Sequence, residues 1–114
     1  MDGKTVLVVE DEFLIATDTC RALEEAGARV LGPAGRMQDA LDLISHEYRI
    51  DGAIVDLNLH GTMAFPVAQA LMERGVPFAF ATGYGEEAIP QAYKHVPRYT
   101  KPISPGTAFA LLFE

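Results

Sequence analysis

Glu10, Asp11 and Glu12 stand in a row directly after the apolar run Val6–Val9, in the stretch "TVLVVEDE". Carboxylates packed together repel one another and cost free energy unless a cation or solvent compensates. A second apolar run, in "GAIVDLNL", also ends on an acid, Asp56. A third, in "VPFAFATGYG", gives way to Thr82, and the short "RYTKP" delivers Lys101. Clustered carboxylates suit a hard divalent cation held by oxygens, and Mg2+ is the expected one. Carboxylates, a hydroxyl and an ammonium around one pocket suit phosphoryl transfer. Asp56 would attack phosphorus, Mg2+ and Lys101 would stabilise the charged oxygens, and Thr82 would hydrogen-bond the product. Taken singly, each residue has a plainer reading: the acids as a solvated loop, Asp56 as a helix cap, Lys101 as a surface lysine. Their combination at the ends of four different runs points to one site.

These residues can meet only if the runs are strands of one sheet. The segments between them have a helical period. "FLIATDTCRALEEAG" carries Leu14, Ile15, Ala22, Leu23 and Ala26 at helical spacing and stops at Gly27. "ARVLGPAG" predicts a short strand broken by Gly32 and Pro33, and "RMQDALDLISHEY" a helix with Met37, Ala40, Leu41 and Ile44 on one stripe. "FPVAQALMERG" predicts a third helix closing on Gly75. "EEAIPQAYKH" predicts a poor fourth one, with Pro90 in its first turn or kinking it. "SPGTAFALLFE" predicts a fifth, with Ser104 and Pro105 as start signals. Strands apolar on both faces, alternating with helices, mean an α/β fold with a parallel sheet covered on both sides. The common five-stranded arrangement is the flavodoxin-like, doubly wound (βα)5 order 2-1-3-4-5, which binds ligands at the carboxyl ends of strands 1 and 3. Glu10, Asp11 and Asp56 fall there. Neighbouring strands lie ~4.8 Å apart, close enough for these carboxylates to share one cation.

The chain has 114 residues, 49% hydrophobic, which predicts a single domain over 1–114 with a real core. Nine basic against sixteen acidic residues leave a net charge of −7. That balance disfavours binding to nucleic acid or to anionic lipid. The lone Cys20 cannot form an internal disulfide, and no apolar stretch approaches membrane-spanning length, so a cytoplasmic protein is expected.

"VLVVEDE", "AIVDLNL", "FATGY" and "TKP", in that order and at that spacing, resemble the response-regulator receiver domains of two-component signalling, over nearly the whole chain. The resemblance implies Asp56 as phospho-acceptor, Asp11 as a direct Mg2+ ligand and Glu10 as an acid acting on the metal through water. It implies the carbonyl of Asn58 as a further ligand, Thr82 as the switch hydroxyl and Lys101 as the ammonium on the phosphoryl group. By the same resemblance the Lys101–Pro102 bond is cis. "PFAFATGYG", "GPAG" and "DLNLHGTMAFPVA" are similar, more narrowly, to the FAT GUY branch of receivers, often paired with histidine kinases of the HWE type. The implied partners are a histidine kinase or histidine phosphotransferase, and a downstream protein met through the helix 4–strand 5–helix 5 face. A receiver catalyses its own phosphorylation and dephosphorylation and is not a stand-alone turnover enzyme.

Two departures bear on signal relay. Receivers commonly carry an aromatic switch residue three places before the lysine, where this chain has Arg98. Tyr99 falls on the opposite face of that strand. The usual Met-Pro after the acceptor is replaced by Leu59 and His60. Tyr84, between Gly83 and Gly85, is a candidate to take over the switch role. His46, His60 and His95 fall on different elements and read as surface residues, Cys20 as a small buried one. Phe78, Phe80, Phe109, Leu112 and Phe113 read as core.

Three alternatives stay open from residues alone: a receiver piece of a larger hybrid kinase or multi-domain regulator, a flavodoxin-like flavin binder, and a metal-dependent aspartyl phosphatase. "EDEF" would repel a flavin phosphate where such a binder needs a neutral loop. The phosphatase reading lacks a second acid two residues after Asp56.

Overall fold

Every residue of strand β1, Thr5–Val9, is buried, as a strand apolar on both faces must be when helices cover both sides of its sheet. Val6 and Val8 point into one layer of core, Leu7 and Val9 into the other. The computed structural model describes residues 2–83 and 89–113, the side chains of Pro105 and Phe109 excepted. After β1 come α1 (Phe13–Glu25), β2 (Arg29–Ala34), α2 (Met37–His46) and β3 (Gly52–Asp56). Two short strands follow, β4 (Asn58–Leu59) and β5 (Thr62–Met63), then α3 (Phe65–Arg74) and β6 (Phe78–Thr82). A 3-10 turn at Gln91–Tyr93, β7 (Arg98–Thr100) and α4 (Pro105–Phe113) complete the order.

The main sheet runs β2-β1-β3-β6-β7, all parallel. With the β4–β5 pair set aside, this is the expected 2-1-3-4-5 order. Leu23 of α1 and Ala108 and Leu112 of α4 cover Val6, Val8, Ile54 and Ala79. Ala40 and Ile44 of α2 and Val67 and Leu71 of α3 cover Leu7, Val9, Val55 and Phe80. Phe78 and Phe80 are core, as expected, and Leu112 is buried with Phe113 partly so. No helix among the described residues is long and apolar enough to cross a membrane.

Four local expectations need correction. Gly32 and Pro33 do not break β2: its pairing with β1 continues to Ala34 through a register shift between Leu7 and Val9. Gly32 sits at φ 96°, and a Cβ there would lie 2.7 Å from the Val8 carbonyl oxygen, so the irregular strand needs glycine at this point. Leu14 is not on the buried stripe of α1 but 69% exposed. The inward stripe is Ala16, Thr19 and Leu23, and Leu14, two residues from Ala16, lies about 200° round the helix from it. The fourth helix is reduced, among the described residues, to the 3-10 turn. Pro90 precedes it in an extended conformation (φ −59°, ψ 151°), and its ring removes the N–H an α-helix would use. Cys20 is half-buried rather than buried.

The fifth difference is an addition. β4 and β5 form an antiparallel hairpin, with Asn58 opposite Met63 and Leu59 opposite Thr62. Its two turn residues, His60 and Gly61, have φ of 49° and 82°. Positive φ at both central residues is the signature of a type I′ turn, which matches the twist of the strands it joins.

Candidate functional site

The parallel register Val9↔Val55 brings the carboxyl ends of β1 and β3 side by side, so Glu10 leaves the sheet next to Asp56. Both acids are buried, at 5% and 6% exposure. One oxygen each from Glu10, Asp11 and Asp56 lie within 4.8 Å of one another. Glu12, third in the row, is exposed and contributes its backbone N–H to Glu10 Oε2 at 3.1 Å. β7 ends two strands away from β3, and Lys101 spans that gap. Its Nζ lies 2.7 Å from Glu10 Oε1 and 3.1 Å from Asp56 Oδ2. The Lys101–Pro102 bond is cis, as the resemblance implies. The Lys101 backbone N–H donates to the Thr82 carbonyl at 2.9 Å.

Backbone donors hold further oxygens of Asp56 and Asp11. Asn58 N–H donates to Asp56 Oδ1 at 3.1 Å, and His60 N–H to Asp11 Oδ2 at 2.8 Å. The imidazole Nδ1 of His60 stands 3.5 Å from the same Asp11 oxygen. The Asn58 side chain is turned into the hairpin, where its Oδ1 accepts from Gly61 N–H at 2.8 Å. The Thr82 hydroxyl, buried at the end of β6, donates to the Tyr99 carbonyl of β7 at 3.3 Å.

Burial is the main force on these groups. It pushes the Asp56 carboxyl up to about 7, the Glu10 carboxyl adds to the rise, and the Asn58 N–H and Lys101 ammonium oppose it. At Asp11 burial pushes upward too, but the His60 N–H and bonds to the Asp56 and Glu10 carboxyls outweigh it, and the group ends below the ordinary carboxylate value. Burial would lower the Lys101 ammonium, yet its contacts with Glu10 and Asp56 leave it raised. Tyr99 is raised by burial and then by the charges of Glu10 and Asp56. Three carboxylates facing one ammonium form an oxygen-only, electronegative donor set, which fits a hard divalent cation such as Mg2+.

The structure therefore brings together Glu10, Asp11, Asp56 and Lys101, with Thr82 on the strand end between Asp56 and Lys101. Tyr84 lies outside the described residues. Tyr99 does face the α1 and α4 layer, and Arg98 is exposed, bonding the Lys94 carbonyl at 3.1 Å. The His60 side chain is exposed, as expected of a surface residue, and what the sequence reading missed is its backbone N–H on Asp11. The signal that could have found it is the His60–Gly61 pair between "NL" and "TM", a two-residue turn that folds back over the first acids. On the other face of the sheet, Tyr93 of the 3-10 turn stacks on Phe65 with centroids 5.2 Å apart and planes within 4°. Its hydroxyl lies 3.2 Å from Gln69 Oε1 of α3.

No family model matches the chain, and no curated protein matches it. Among solved structures it is similar to SdrG from Sphingomonas melonis Fr1, at 34% identity over 97% of both chains and a TM-score of 0.84. It is similar to the BeF3-activated conformation of SdrG from Pseudomonas melonis Fr1, at 35% identity over 90% of this chain and 87% of that one, with a TM-score of 0.75. It is also similar to the signal receiver domain of a modulated diguanylate cyclase from Desulfovibrio desulfuricans G20. There the identity is 30% over 90% of this chain and 85% of that one, and the TM-score 0.77.

Proposed function

Since the chain belongs to the response-regulator receiver domains, we propose that it accepts a phosphoryl group on Asp56 from the phosphohistidine of a histidine kinase or histidine phosphotransferase. An Asp56 oxygen attacks phosphorus, the donor P–N bond breaks, and its electron pair returns to the imidazole, leaving an acyl phosphate on Asp56. Water later cleaves the acyl phosphate, so the domain acts on itself rather than turning over a substrate. Held by Glu10, Asp11, Asp56 and the Asn58 carbonyl, Mg2+ would supply Lewis-acid stabilisation of the phosphoryl oxygens. Lys101 neutralises charge on the same oxygens, and Thr82 turns from the Tyr99 carbonyl to bond one of them. That rotation, with the segment after β6, would alter the surface formed by the 3-10 turn, β7 and α4, where a downstream protein docks.

The observation that carries this reading is a buried Asp56 with an ammonium 3.1 Å away and two further carboxylates within reach of one cation. The FAT GUY motif "PFAFATGYG" supports placement in that branch, with a kinase of the HWE type as donor. SdrG, about a third identical, has been solved in a BeF3-activated conformation, which supports the same phosphoryl mimic as a probe here. The test is intact-mass measurement after incubation with Mg2+ and a small acyl phosphate. One phosphoryl addition, acid-stable and base-labile, is expected on the wild type and none on Asp56→Asn. Labelling of Asp56→Asn as full as that of the wild type overturns the assignment.

A further inference from the structure

We propose that His60 is a positioning residue for the metal site, acting through its backbone N–H to aim the Asp11 carboxylate. The inference rests on the Mg2+ reading above and adds to it a residue that the common receiver pattern does not provide. Where receivers commonly carry Met-Pro, this chain has Leu59 and His60. Proline has no N–H to give and is confined to φ near −65°. His60 instead adopts φ 49°, opens the type I′ turn of the β4–β5 hairpin, and donates to Asp11 Oδ2 at 2.8 Å.

The hairpin is itself tied to the site. It begins at Asn58, whose N–H holds Asp56 Oδ1, and Gly61 N–H closes onto the Asn58 side chain at 2.8 Å. β4 and its turn thus bridge the acid after β1 and the acid ending β3, 45 residues apart in sequence. The His60 amide, by holding Oδ2, restrains rotation of the Asp11 carboxyl group, one oxygen of which lies within 4.8 Å of oxygens of Glu10 and Asp56. Partners that orient a ligand in this way contribute roughly 10- to 100-fold in metal affinity. The imidazole, at 3.5 Å and exposed, is a lesser contact.

The test is a Mg2+ titration followed by 1H–15N NMR on the wild type, His60→Gly and His60→Pro. His60→Gly keeps both the N–H and the left-handed backbone, so its Kd is expected within about twofold of the wild type. His60→Pro removes both, and about tenfold weaker binding is expected, at the lower end for such partners because the contact is exposed. Equal Mg2+ affinity in His60→Pro and wild type overturns the proposal. A tenfold loss in His60→Gly overturns it as well, because the imidazole rather than the amide would then be the active group. Should His60→Pro fail to fold, the His60 amide resonance decides the matter. It is expected downfield and slow to exchange in the wild type, and upfield and fast in Asp11→Ala; an unchanged resonance sinks the idea. A wild type that takes up no Mg2+ removes the metal reading itself, an outcome distinct from wild type and His60→Pro binding alike.

Discussion

Asp56 is under two opposed demands. As a nucleophile it must be ionised, while burial beside Glu10 favours its protonated form. Lys101 and the Asn58 N–H are the groups that offset this. The conflict has a measurable consequence. A carboxyl that holds its proton up to about 7 when folded, against about 3.8 in the ordinary case, binds protons more tightly in the native state. Its contribution to stability is therefore fully present below the ordinary value and is lost as pH rises through about 7. Urea unfolding in chelator should show the wild type losing about 1–2 kcal/mol between pH 4 and pH 8 on account of this group, discounted for its partial solvation and its coupling to Glu10. Asp56→Asn should flatten that part of the profile; a slope unchanged in the variant would assign it elsewhere. Most of this cluster was legible in the sequence, because an acid or a lysine after an apolar run announces its own position at a strand end. His60 was not, since its contribution comes from a backbone amide and a positive φ rather than from the character of its side chain.

At the scale of elements, sequence pattern located the five sheet strands and four of the five helices it predicted, because the helices turn an apolar face to one layer of core and the central strands are apolar on both faces. It failed where a backbone detail decides. The β4–β5 hairpin is only two residues per strand, too short to show a period. Pro90 and its extended conformation leave only a 3-10 turn in the described part of the fourth helical segment. β2 survives its glycine and proline because Gly32 supplies the irregular step. Gly32→Ala places a methyl against the Val8 carbonyl at positive φ and should cost at least about 2 kcal/mol in chemical denaturation. A smaller loss would mean that β2 can shift to make room. A second tie lies far from the site. Arg74, at the end of α3, donates at 2.6 Å to the carbonyls of Ile44 and Tyr48, joining α3 to the exit of α2. Arg74→Ala should lower stability by about 1–2 kcal/mol and leave Asp56 labelling unchanged. Loss of labelling alongside would show that this end of the molecule is coupled to the other.

For the molecule as a whole, three of the sixteen acids that give a net charge of −7 are gathered in the carboxylate cluster. Self-repulsion of that size weakens the compact state, and among the described residues of the cluster Lys101 sets one ammonium against three carboxylates. A divalent cation adds two positive charges where the repulsion is strongest, so its binding should appear as global stability and not only as chemistry. If Mg2+ binds the folded chain and not the unfolded one, tenfold excess over Kd stabilises by RT ln 11, about 1.4 kcal/mol. For a domain of this size that corresponds to about 5 °C in Tm. The rise should follow the Mg2+ concentration, saturate slowly as the logarithm requires, and be absent in sodium chloride of equal ionic strength, which screens surface charge without entering the cluster. Asp11→Ala should lose the Mg2+-specific rise, having lost an oxygen donor. It should also melt lower than the wild type in chelator, because the His60 N–H and the neighbouring carboxyls hold the Asp11 carboxyl below its ordinary value, so its ionised form contributes to native stability at neutral pH. The second half of this expectation is the sharper one, because it separates the donors at Asp11 from the charge repulsion around it. A higher Tm for Asp11→Ala in chelator would mean that the repulsion outweighs the hydrogen bond from His60, and that the acids are strained against one another rather than held together by their backbone donors.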